Sequence, residues 1–207
     1  MLPYAWRLRS VDRKLLVIDL ETSGLDPDLH SVLSIGAAAW IPGFIIDSIE
    51  IFISEETSTI DPEAMRINQI DPAWLRDNGI SASLAVAKLE AFVRRNFDFS
   101  DPNTRVSLVG HNLGFDVPFL KRLYKRVGVS YQATFSHRMI DTASVLGSLV
   151  LAGRLPLSEA SSAEAFEYFG IRVPGRHTAL GDAIATARLL DGLLNVLQGH
   201  LSSRMPS

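Results

Sequence analysis

The chain has 207 residues, 47% hydrophobic and 21% charged, with 20 Lys and Arg against 23 Asp and Glu for a net charge of −3. That size and composition suit one domain with a substantial core, and no Pro/Gly/Ser-rich linker divides it, so 1–207 is expected to form a single unit. Cysteine is absent, which excludes disulfides, thiolate metal sites and cysteine nucleophiles, while the net negative charge argues against gripping long duplexes through a global positive field. The first residues lack the apolar core of a signal peptide. The most apolar region, Ile35 to Ile53, is broken by Pro42-Gly43, Asp47 and Glu50, too often for a membrane span. A cytoplasmic protein without membrane partners is expected.

Lys14 to Gly24 reads as a buried strand, a branched apolar run closed by Gly24 and the turn pair Asp26-Pro27. Two acids interrupt it, Asp19 and Glu21. Positions two apart on a strand share a face, so both carboxylates emerge side by side. Burying adjacent carboxylates is costly unless something compensates them. A bound hard cation with oxygen ligands, Mg²⁺ or Mn²⁺, is one explanation. A sheet end where both acids reach water or meet an arginine is the other.

Ser31 to Ile41 and Phe44 to Ile53 read as two further strands, joined in a hairpin by Pro42-Gly43. Asp61-Pro62, Asp71-Pro72 and Asn78-Gly79 mark short helical pieces, followed by a helix from about Ser83 to Asn96. Arg105 to His111 reads as a strand. A helix starting between Gly114 and Asp116 tolerates Pro118 in its first turn and stops at Gly128. Arg138 to Leu146 reads as a short strand passing into a helix, Ser158 to Phe169 as another helix, and Thr178 to Leu197 as a last long one. The core is expected at about 14–197, with a frayed tail over 199–207. Three strands followed by alternating helix and strand indicate an α/β fold with a mixed sheet, antiparallel first and parallel later.

Two more acids fall at helix starts, Asp116 and Asp182, and His177 lies five residues before the latter. Each has an ordinary explanation: an acid in a first helical turn gains about 0.3–1 kcal/mol from the helix dipole, and a histidine is often structural. Taken together, Asp19-Leu-Glu-Thr-Ser-Gly24, His111-Asn-Leu-Gly-Phe-Asp116 and His177-Thr-Ala-Leu-Gly-Asp-Ala183 resemble, in order, the three motifs of the DnaQ-like DEDDh 3′–5′ exonucleases. That family takes in proofreading epsilon-type subunits, RNase T and oligoribonuclease. The resemblance spans about residues 14–197. Thr178 stands where the tyrosine subgroup has Tyr, which points to the histidine subgroup.

The resemblance implies a ribonuclease H-like mixed sheet flanked by helices and metal-dependent hydrolysis of phosphodiesters from a 3′ end. It implies two divalent ions, Mg²⁺ or Mn²⁺, held by Asp19, Glu21, Asp116 and Asp182, with His177 as general base. By position, Thr22, Gly24, Leu25, Asn112 and Phe115 would meet the terminal nucleotide, against the plainer readings of turn chemistry and core packing. Lys121, Arg122, Lys125 and Arg126 form a basic helix face, either solvated or a phosphate track. The partner implied is a nucleic acid with a free 3′ end. DNA and RNA, including short oligoribonucleotides, both remain open, and an inactive binding module is disfavoured because all five positions carry the family's residues. The tail offers no clear clamp-binding pattern, so association with a polymerase is not indicated. A homodimer stays possible.

Overall fold

The computed structural model describes residues 14–54, 59–172 and 178–199. Five strands form one sheet in the order β3-β2-β1-β4-β5, with β1 at Leu15–Thr22, β2 at Val32–Ile41, β3 at Phe44–Phe52, β4 at Leu108–Gly110 and β5 at Ile140–Asp141. β1, β2 and β3 pair antiparallel, whereas β4 and β5 join in parallel. The mixed α/β architecture matches the sequence expectation, and β1 runs through its centre.

Alternation along β1 decides what covers each side. Leu16, Ile18 and Leu20 enter a core with α3 (Ala82–Asn96) and α4 (Leu113–Arg126) on one face. Leu16 and Ile18 are almost wholly buried, which for each side chain is worth about 1.5–3 kcal/mol. Val17 points the other way and meets Ala183, Ala187 and Leu190 of α8 (Ala179–Leu197) together with Ala38, Trp40 and Val109. α6 (Thr142–Leu151) and α7 (Ser162–Tyr168) then pack on α8 through Leu146, Leu149, Phe166, Leu189 and Leu193. α8 is therefore buried on two sides, which its run of small and aliphatic residues allows.

Short helices link the halves: α1 (Pro62–Asn68) and α2 (Pro72–Asn78), each capped by an Asp and opened by a Pro, and α5 (Tyr131–Thr134). The turn signals anticipated α1 and α2; α5 has no such signal. The expected strand from Arg105 shrinks to Leu108–Gly110, with Val106 reduced to an isolated bridge to Phe135. The helix expected from Ser158 begins only after Ser161, because Ala160 takes a left-handed φ of 51° and Ser161 caps the Glu164 N–H. Glu164 reaches back to accept from the Ser158 and Glu159 N–H groups, stabilising the turn before the helix. No helix among the described residues is long and apolar enough to cross a membrane.

Candidate active site

The C-terminal end of β1 is where helix starts from both faces of the sheet converge. Asp19 and Glu21 lie on the α8 face, each half-buried. Opposite them across β2 stand Gly36 and Ser34. A Cβ on Gly36 would lie 2.1 Å from the Ala179 carbonyl carbon and oxygen, so only glycine lets the first turn of α8 rest on the sheet here. Thr178 caps that turn by accepting from the Gly181 N–H at 3.1 Å. Asp182 is thereby carried to the β1 acids, and carboxylate oxygens of Asp19, Glu21 and Asp182 lie within 4.8 Å of one another.

Asp116 arrives from the opposite face. It occupies the fourth position of α4, as Asp182 does in α8. β1 and β4 pair only through Leu16↔Leu108 and Val17↔Val109. Beyond that pairing the Leu20 N–H donates to Asp116 Oδ1 at 3.0 Å, so a side chain takes over the ladder bond. Asp116 is 5% exposed and sits outside the gathered triad. His177 lies outside the described residues.

The charges tell the same story as the distances. Glu21 is pushed up to about 7, first by burial and then by the charges of Asp182, Asp116 and Glu50. Burial also raises Asp116, partly offset by the Leu20 N–H and reinforced by Asp141. Carboxylates driven toward protonation by burial and mutual repulsion fit a divalent cation, which supplies the missing positive charge through hard oxygen ligands. The donor set suits Mg²⁺-like ions and offers no nitrogen or sulfur among the three gathered groups.

The sequence-derived substrate contacts divide. Leu25 is 74% exposed beside the acids' strand end and is free to meet a ligand. The buried Thr22 hydroxyl donates to the Gly24 carbonyl at 2.7 Å and stiffens the loop. A Cβ on Gly24 would fall 2.3 Å from the His30 ring. Asn112 is exposed at the N-cap of α4 with φ 69°, its N–H donating to Asp141 Oδ1 at 2.8 Å. Phe115 is half-buried against Phe119, ring centroids 5.1 Å apart. Of the basic residues on α4, Arg122 is ion-paired with Asp28, and Lys121 lies over the Tyr131 ring.

Several residues join the site unannounced. Ser34, Glu50, Phe52, Asn68 and Trp74 join Glu21 and Thr178 in lining a cleft of about 360 Å³ at the triad. Trp40 is buried in the core, whereas Trp74 is 43% exposed and forms the cleft wall, edge-on to Phe52 at 4.9 Å. The buried Asn68 carboxamide donates to the Thr22 carbonyl at 3.1 Å. Glu50 had the right alternation in β3, yet only the pairing Gly36↔Glu50 reveals that it borders the site.

This fold and its acidic strand end define a nuclease domain of ribonuclease H-like architecture. The family model described as RNase T exonuclease matches residues 16–190. Ribonuclease T of Haemophilus influenzae (strain PittGG) is 28% identical over 204 residues, covering 92% of this chain and 85% of the relative. Exonuclease I of E. coli in complex with a dT13 oligonucleotide superposes with a TM-score of 0.76 at 17% identity, over 90% of this chain and 42% of that one. The zinc-bound form of the E. coli exonuclease I–ssDNA complex gives 0.75 at 18% identity, over 90% and 41%. The chain thus spans about two-fifths of the length of those solved structures. It belongs to the RNase T exonuclease family, within the DnaQ-like 3′–5′ exonucleases.

Proposed function

We propose that this 3′–5′ exonuclease removes nucleoside 5′-monophosphates one at a time from single-stranded nucleic acid, using two Mg²⁺ or Mn²⁺ ions and His177 as general base. The observation that carries the reading is the gathering of Asp19, Glu21 and Asp182 within 4.8 Å, from a strand and a helix far apart in sequence. When bound, such ions lower the pKa of water and neutralise charge on phosphoryl oxygens. Asp19, Glu21 and Asp182 would hold one ion, and Asp116 would serve the second with Asp19 shared. His177 directly precedes the N-cap of α8; an imidazole nitrogen there would accept the proton of the attacking water, a task suited to a near-neutral pKa.

Leu25 would wedge beside the terminal base and Phe115 would offer part of its ring for stacking. Asn112 would line the nucleotide pocket, while Thr22 and Gly24 would shape the loop that meets the 3′ end. The similarity to ribonuclease T favours RNA, whereas the oligonucleotide in the exonuclease I complex is dT13. The cysteine-free composition suits work in the cytoplasm.

The test is time-resolved digestion of 5′-labelled single-stranded RNA, single-stranded DNA and duplex, with Mg²⁺ or Mn²⁺ and with chelator. A 3′-directed ladder that disappears on chelation, and in Asp19→Ala and Asp182→Ala proteins that remain folded, is the expected result. Wild-type rates in either variant would reject the assignment.

A further inference from the structure

Cross-strand pairing places Asp19, Gly36 and Glu50 in one row across β1, β2 and β3. Cross-strand partners share a face, so the backbone of the first α8 turn, resting on Gly36, has a carboxylate on either side. Asp19 is one of the gathered site acids. Glu50, from β3, accepts a hydrogen bond from the Leu180 N–H at 3.3 Å. Leu180 is the second residue of α8, and its N–H is one of the first four that a helix cannot satisfy internally.

What makes this bond more than another cap is the surface on which α8 lies. Ala179, Ala183 and Ala187 recur every fourth residue, and the latter two pack against Ala38 and Trp40. A ridge of methyl groups on small side chains resists sliding along the helix axis weakly, because little interdigitates. Polar pins fix the axial position instead. At the far end Asp191 accepts from Gly43 N–H at 2.8 Å and from Trp40 Nε1–H at 3.3 Å. At the near end Glu50 supplies a pin from the sheet, holding the backbone two residues before Asp182.

We propose that Glu50 is a positioning residue for the exonuclease reaction: it locks the first turn of α8 to the sheet and so holds the Asp182 carboxylate in register with Asp19 and Glu21. The inference rests on the reading of Asp182 as a site ligand. Glu50 acts here as an acceptor through the helix backbone. An uncharged acceptor of the same length therefore retains most of the effect, and truncation impairs it.

The experiment compares wild type, Glu50→Ala, Glu50→Gln, Asp191→Ala and Asp182→Ala for kcat, oligonucleotide KM, the Mn²⁺ concentration giving half-maximal rate, and thermal unfolding. In Glu50→Ala, kcat should fall about 10–100-fold, as for a misplacement of about 1 Å, with KM within about twofold and the Mn²⁺ requirement raised. Glu50→Gln should recover most of that kcat. Asp191→Ala should lower the unfolding temperature while leaving kcat within about threefold, which separates a general anchor of α8 from a lock on Asp182. Wild-type kcat in Glu50→Ala overturns the inference, as does a Glu50→Gln protein as slow as Glu50→Ala. Full hydrolysis in Asp182→Ala would remove the site reading itself.

Discussion

Glu21 makes the electrostatic state of the site measurable without turnover. Its ordinary carboxyl value of 4.5 rises to about 7 in the fold, through burial first and neighbouring acids second. The fold therefore favours the protonated form. Below pH 4.5 both folded and unfolded chains carry the proton, and the stability is fully present. As pH climbs toward 7 the unfolded chain releases its proton while the folded one retains it, so stability is lost across that window. Asp116 is shifted in the same direction. In chelator, wild type should lose more unfolding temperature between pH 5 and pH 8 than Glu21→Gln, which keeps the shape without the charge. Added Mg²⁺ should restore wild type at pH 8 and do less at pH 5, where Glu21 and Asp116 carry protons. Parallel pH profiles for the two proteins would show that Glu21 is not held against its charge. Surface acids such as Asp47, lowered by Asn96 and Arg95, contribute in the opposite sense, but equally to both proteins.

Among the elements, the meeting of β2 with α8 carries the site. Gly36→Ala adds one methyl whose nearest neighbours are the Ala179 carbonyl and the Leu180 nitrogen, at 2.1 and 2.3 Å. These are backbone atoms that cannot swing aside. The helix start must lift, at a cost of about 1–3 kcal/mol typical of overpacking. The expected outcome is a lower denaturant midpoint together with a lower kcat, read from urea titration and metal-dependent digestion. The Gly147→Ala substitution in α6 makes a fair contrast, because a Cβ there meets nothing within 4 Å. A Gly36→Ala protein as stable and as active as wild type would contradict the close approach.

The same junction shows how far the sequence could be read. Strands β1 to β3 were legible because long branched runs with turn residues between them carry their own pattern, and the acids of β1 announced themselves as an exception to it. Asp116 and Asp182 were found through motifs in local sequence. Glu50 and Gly36 were not, since their importance comes from pairing across strands and from a helix more than 100 residues distant in sequence, nor was Trp74, whose place in the cleft comes from packing α2 against Phe52 of β3. The shortening of the Arg105 strand was equally hidden: Val106 exchanges its backbone hydrogen bonds with Thr134 and Ser136 around an isolated bridge to Phe135, so β4 proper begins only at Leu108. Local periodicity cannot report a competitor that arrives from another element.

At the scale of the whole molecule the question is how an acidic protein holds a polyanion. With a net charge of −3, two modes are available: a short grip at the 3′ end centred on the gathered acids, or a longer track along the basic face of α4. The internal pairing of that face favours the first. Arg122 is neutralised by Asp28, and Lys121 is engaged with Tyr131, leaving a broken row of cations rather than a continuous one. The two modes differ sharply in salt dependence. Single-strand affinity falls with salt by a logarithmic slope of roughly −0.7 per phosphate neutralised, so two contacts weaken binding about sevenfold between about 50 and 200 mM salt, whereas six weaken it by roughly several hundredfold. The oligonucleotide KM of this protein, measured at saturating Mg²⁺ over that range, should follow the shallow line. A Lys125→Ala, Arg126→Ala double variant should leave that slope nearly unchanged. A steep slope that flattens in the double variant would mean that the strand runs along α4, and that the basic face is a phosphate track after all.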